Sequence, residues 1–203
     1  DGGLTKIGAG RLYLLADSSY TGTNRLEQGK LFVAATNALG TGPVEVGRAG
    51  DSAVLVGDGN GNNMFVTLTN TVTFGANGSV ATADGGTLEL QNIAFDADCE
   101  QINVGGHANV GTGAVRLALN PATTSRVSYV FVFDQNNLDV SGNTVIAQSA
   151  PLSSVSPRVE VRHGSRLRVA DNAVLDVPGL YLNVTGGEYR QEGGTAAFRF
   201  VHG

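Results

Sequence analysis

A short phrase recurs along this chain: a glycine, a polar residue, then alternating apolar and polar positions. It reads Gly10-Arg11-Leu12-Tyr13-Leu14, Gly29-Lys30-Leu31-Phe32-Val33, Gly42-Pro43-Val44-Glu45-Val46, Gly86-Thr87-Leu88-Glu89-Leu90 and Gly113-Ala114-Val115-Arg116-Leu117. Looser copies run from Gly164 to Val169 and from Gly194 to Phe200. Each copy is a turn followed by a half-buried strand, because strand side chains alternate between faces with period two. Recurrence over tens of residues predicts stacked repeats with one long surface.

Composition narrows the class. Glycine is 29 of 203 residues and proline only 5, with no collagen-like period. The 41% of hydrophobic residues suffices for a core. Charged residues are 15% with a net charge of -5 and no basic run, which argues against nucleic acid as a partner. No apolar run approaches the roughly 20 residues of a membrane helix, so no membrane insertion is expected of this segment. Aromatics at 6%, without tryptophan, are thin for a stacking surface. The single Cys99 excludes an internal disulfide framework. The chain opens at Asp1 inside a repeat phrase, as expected of a piece of something longer.

Strand-like runs follow one another throughout, among them Arg11–Leu15, Phe65–Leu68, Thr71–Phe74, Arg126–Phe133, Arg158–Arg162 and Arg166–Val169. No window sustains a capped i, i+3, i+4 apolar pattern, so the chain is expected to be nearly free of helix. Glycine, asparagine, aspartate and serine fill the gaps. A sandwich, a barrel and a β-solenoid all suit strands this short. The self-similar phrase and the Leu and Val at inward positions favour the solenoid, a single segment over residues 1–203. At roughly 20–25 residues per coil it would hold about eight to ten coils, or a rod of roughly 40–50 Å.

Residues 2–47 sharpen the expectation. Gly2-Gly3-Leu4-Thr5-Lys6-Ile7-Gly8-Ala9-Gly10-Arg11-Leu12-Tyr13-Leu14 leads to Tyr20-Thr21-Gly22, then to Gly29-Lys30-Leu31 and Asn37-Ala38-Leu39-Gly40-Thr41-Gly42. This stretch resembles the passenger-associated β-strand repeat of bacterial autotransporters. The resemblance implies a right-handed parallel β-helix in a secreted or surface-displayed protein. In that family the repeats form a stalk, assist export and carry no catalytic residues. The family's outer-membrane barrel has no counterpart in these residues.

Two acidic stretches invite a metal. Gly57-Asp58-Gly59-Asn60-Gly61-Asn62-Asn63 places Asp58, Asn60 and Asn62 at alternate positions, as in the first half of a calcium loop. Thr69 stands where the closing bidentate glutamate belongs, so a glycine-rich turn is the expected reading and no metal is expected. Asp96, Asp98 and Glu100 could share a strand face and hold a cation or act as paired carboxylates. No lysine or arginine lies between Arg48 and Arg116 to assist them, and an acidic loop is expected instead. His107, His163 and His202 lack zinc spacing, and Cys99 has no activating neighbour.

These readings predict a non-catalytic stalk at the cell surface, without cofactors. It would display the loops Gly57–Asn63, Asp96–Glu100, Asn120–Ser125 and Gln148–Pro157 to a host or matrix ligand. The alternatives are a filament subunit that self-associates through its end coils and a polysaccharide-active β-helix enzyme.

Overall fold

The structure is a computed structural model. It describes residues 2–48, 52–58, 65–83, 85–96, 99, 101–105, 113–119, 125–127, 129–133, 135–141, 144–148, 158–176, 181–197 and 200–202. Among these there is no helix, and the strands build a β-solenoid. In chain order they are β1 (Thr5–Lys6), β2 (Arg11–Leu14), β3 (Asn24–Leu26), β4 (Gly29–Val33), β5 (Val44–Val46), β6 (Ala53–Asp58) and β7 (Phe65–Phe74). There follow β8 (Gly78–Ala83), β9 (Thr87–Phe95), β10 (Gln101–Val104), β11 (Gly113–Leu117), β12 (Ser125–Val127), β13 (Tyr129–Val132) and β14 (Asn136–Val140). The last are β15 (Val145–Gln148), β16 (Arg158–Arg162), β17 (Arg166–Asp176), β18 (Tyr181–Thr185), β19 (Glu188–Ala197) and β20 (Phe200–His202).

Two parallel sheets take these strands in turn. A 9-stranded sheet runs β2-β4-β6-β8-β10-β13-β16-β18-β20. An 11-stranded sheet runs β1-β3-β5-β7-β9-β11-β14-β17-β15-β12, with β19 on β17. The long strands turn a corner within the second sheet. In the β7–β9 pair the register shifts between Leu68 and Thr71, and in β17–β19 between Asp171 and Val174. Cross-coil contacts join residues 20 apart at Arg25–Glu45, 24 apart at Arg168–Glu192 and 25 apart at Arg116–Ser141. The steps Gln101 to Tyr129 and Tyr129 to Arg158 are longer. The glycine phrase opens strands of both sheets: the Gly10 and Gly29 copies lie in β2 and β4, and the Gly42, Gly86 and Gly113 copies in β5, β9 and β11.

In-register pairing stacks like on like inside. Leu12, Leu31, Leu55, Val80, Val104, Val132, Val161 and Val184 form one inward column of the 9-stranded sheet. Val66, Leu88, Val115, Leu138 and Leu167 form another on the interior face of the second sheet, all at most 1% exposed. Each such side chain stabilises the fold by about 1.5–3 kcal/mol through area removed from water.

The motif residues of the first coils have local physical roles. Lys6 is buried, and its Nζ donates to the carbonyls of Ile7, Gly8 and Gln28. It thereby closes the turn between β1 and β2 against the next coil. In the segment 34–43, Ala38 and Leu39 point into the core. Asn24 Nδ2 donates to the Leu39 carbonyl at 2.8 Å, and Asn70 Nδ2 to the Gly40 and Gly42 carbonyls at 3.1 and 2.7 Å. Gly29 has φ +79°, and a Cβ there would lie 2.5 Å from the Gly8 carbonyl oxygen. Both the backbone and the neighbouring coil exclude a side chain.

Two substitutions test this packing in urea titrations. Gly29→Ala is expected to cost about 1–3 kcal/mol through strain at positive φ, with crowding added. Leu138→Ala is expected to cost about 2–5 kcal/mol, because stacked neighbours cannot collapse into the space. A midpoint unchanged in either variant would contradict the stacking described here.

Candidate functional site

Of the six candidate metal ligands, for which no metal is expected, the structure describes Asp58 and Asp96. Asp58 is buried at the end of β6, in register with Ala83, while Asn60 and Asn62 lie outside the described residues. Asp96 is described; Asp98 and Glu100 are not. No group of three His, Cys, Asp or Glu side chains able to hold a metal occurs among the described residues. Cys99 is 2% exposed and packs in the core cluster as a small apolar filler. Of the four predicted display loops only Gly57, Asp58, Asp96, Cys99, Ser125 and Gln148 are described.

Asp96 has a partner that its sequence neighbourhood did not offer. Arg48 Nε donates to Asp96 Oδ2 at 2.5 Å across 48 residues, and Arg48 Nη1 to Glu45 Oε1 at 2.7 Å. Glu45 also receives Arg25 Nε at 3.1 Å. The result is a chain of surface ion pairs beside a shallow cleft lined by Arg25, Leu26, Glu27, Glu45 and Arg48. Asp96 thus belongs to an inter-coil clamp.

A second charge ladder climbs the outer face of the 11-stranded sheet. Glu89, Arg116, Asp139 and Arg168 occupy successive register positions. Arg116 lies 3.6 Å from Glu89, and Arg168 lies 3.8 Å from Asp139 and 2.5 Å from Glu192. The two acids beside Arg168 respond oppositely. Burial raises the Asp139 carboxyl above its ordinary value, against the pull of Arg168, Arg166 and Arg116. The hydrogen bond from Arg168 holds the exposed Glu192 below its ordinary value.

The densest chemistry lies on the outer face of the 9-stranded sheet, over β10, β13, β16 and β18. Inward Val130 and Val132 leave Tyr129, Phe131 and Phe133 on the opposite side, all half-buried. Their rings are nearly parallel: Tyr129 to Phe131 is 5.8 Å at 7°, and Phe131 to Phe133 is 5.6 Å at 19°. On one flank stand Gln101 and Asn103 of β10, in register with Tyr129 and Phe131. On the other stand Arg158 and Glu160 of β16, in register with the same pair, and Arg162. The Arg158 guanidinium sits 5.7 Å over the Phe131 ring, a cation–π contact.

Glu160, 6% exposed, anchors both arginines. It contacts Arg158 Nε at 2.5 Å and Arg162 Nη2 at 3.1 Å. Arg158 Nε is taken up by its ion pair with Glu160, whereas Arg162 Nε has no acceptor and Asn103 Oδ1 has no donor. Both of these atoms are shielded from solvent, where an unmet hydrogen bond costs free energy. Sequence reasoning missed this panel because it read 126–133 only as a strand and averaged the aromatic content over the chain. The visible signal was the alternation Tyr129-Val130-Phe131-Val132-Phe133. No family model, curated protein or solved structure matches the chain.

The charge ladder makes a pH prediction. A carboxyl raised by folding contributes most below its unfolded value, and that contribution fades as pH rises through the folded value. Asp139→Asn is therefore expected to raise the melting temperature at pH 7, with the gain shrinking as pH falls through the raised folded value and gone below about pH 4. A carboxyl lowered by folding contributes above its ordinary value and loses this as pH falls. Glu192→Gln is expected to lower the melting temperature at pH 7, less so in acid or in high salt. Thermal melts across pH check both signs.

Proposed function

We propose that this segment is a non-catalytic stalk of a secreted or surface-displayed protein of the autotransporter type, a right-handed parallel β-helix of eight to ten coils. The observation that carries the reading is the unbroken inward column from Leu12 to Val184, which makes one continuous core out of coils that touch only their neighbours. Nine strands in one sheet support the coil number. The strong preference of parallel crossover connections for the right hand supports the handedness. The Lys6 clamp and the glycine contacts give the motif of residues 2–47 a structural purpose, which suits a repeat kept for stacking. Glu160 is committed to two guanidinium groups, whereas glycoside hydrolysis uses a pair of carboxylates free to trade a proton.

Two measurements test the stalk. Excising one coil in register, residues 137–165, brings Asn136 against Arg166, the step defined by the Asn137–Arg166 pairing. The shortened chain is expected to keep a β-type circular dichroism spectrum, a cooperative melt and export in the full-length protein. An unfolded product, or steady cleavage of acidic polysaccharide by the intact chain, would defeat the reading. A chelator is expected to leave the melting temperature within about one degree, since a folded-state metal would otherwise stabilise by mass action.

A further inference from the structure

We infer that the aromatic panel on β13 is a docking surface for a linear polysaccharide bearing uronate carboxylates. The inference gives the proposed stalk its ligand class. The panel runs along the strand from Tyr129 to Phe133, about 13 Å at the usual rise of an extended chain, which accommodates a short run of sugar units. Its floor is apolar and its two walls are polar, with Gln101 and Asn103 on one side and Arg158 and Arg162 on the other. A pyranose has matching surfaces: apolar C–H patches and a rim of hydroxyls. Sites for small polar ligands combine an apolar bed with a few placed polar groups in this way.

The donor and acceptor inventory selects the carboxylate. Arg162 Nε is a donor without an acceptor, and Asn103 Oδ1 is an acceptor without a donor. A ligand that both accepts strongly and donates, as a uronate with neighbouring hydroxyls does, satisfies both after small side-chain rotations. Among the described residues of the panel two guanidinium groups face one carboxylate, Glu160, a local excess of positive charge in a chain that carries -5 overall. At physiological salt, screening over about 8 Å leaves the near charges dominant. Guanidinium forks also match planar carboxylates. Among the described residues the panel carries one carboxylate, Glu160, and both arginines hold it.

Affinity electrophoresis through gels containing polygalacturonate tests the assignment. The wild-type chain is expected to be retarded, and Phe131→Ala to weaken binding about tenfold. Arg162→Ala and Asn103→Ala, milder for folding, are each expected to weaken it about fivefold. Thr67→Ala, on the outer face of the other sheet, is expected to run as wild type. Equal retardation of the panel variants, or none of the wild-type chain, overturns the inference. Retardation as strong in neutral hydroxyethylcellulose overturns the choice of a carboxylated ligand. Sedimentation showing a dimer that Phe131→Ala dissociates would assign the panel to a second copy and overturn it too. Coil excision tests the stalk separately, so either reading can fail without the other.

Discussion

Parallel, in-register pairing between successive coils is the constraint on which everything else depends. Backbone amides paired within the sheets bond to a residue one coil away, so their side chains sit on register counterparts rather than on sequence neighbours. Inward positions then become columns and outward positions become ladders. Leucine and valine suit the inward columns because branched aliphatic side chains nest on their own kind in a pleated sheet. A substitution inside is felt by two coils at once, and a charge outside meets a charge chosen by coil length. Arg25 and Glu45 pair for this reason, whereas Arg168 sits on Arg190 in register and reaches Glu192 diagonally.

Polar groups inside the solenoid follow the same logic, and nearly all of them tie one coil to another. Asn136 Oδ1 accepts from Thr82 N at 2.7 Å and from Thr82 Oγ1 at 3.1 Å, 54 residues away. Gly113 stands between them in the stack, where a Cβ would collide with the Thr82 hydroxyl. Thr144 Oγ1 donates to the Leu117 carbonyl and accepts from Leu119 N, both at 2.9 Å. A coil slipped by one residue would strand each of these groups without a partner and would turn the Leu and Val columns outward. Buried polarity here serves registry, with aliphatic burial supplying the bulk of stability.

This separation explains what was legible in the sequence. Period-two runs exposed the strands, and the break between Phe65–Leu68 and Thr71–Phe74 coincides with the register shift inside β7. The glycine phrase exposed the stacking, since Gly29 is needed for both its φ and its contact with the preceding coil. The outward ladders were not legible, because their partners are set by coil lengths that vary at the corners. Arg48 and Asp96 are 48 residues apart, and nothing local to Asp96 announces the pairing. The β13 panel was half legible. Its three rings alternate plainly in the sequence, whereas Arg158, Glu160 and Asn103 reach it only through register.

The outer face of the 9-stranded sheet shows how one scaffold can hold two surfaces of different kind. Toward the first coils the outward positions mix the charged Arg11 and Lys30 with apolar residues. Phe32, Val54, Val56, Ala81 and Ala83 form a second buried cluster, with Tyr13 stacked on Phe32 at 4.4 Å. Farther along, the register row that holds Lys30 and Val54 continues to Phe131, Glu160 and Asn183, which are aromatic, ionic and amide. The inward column continues through this change without interruption, from Leu55 and Val80 to Val132 and Val161. Stability and surface chemistry therefore vary on separate sets of residues, offset by one position along each strand. That offset lets a solenoid alter what its outer face recognises while keeping the core that holds it upright.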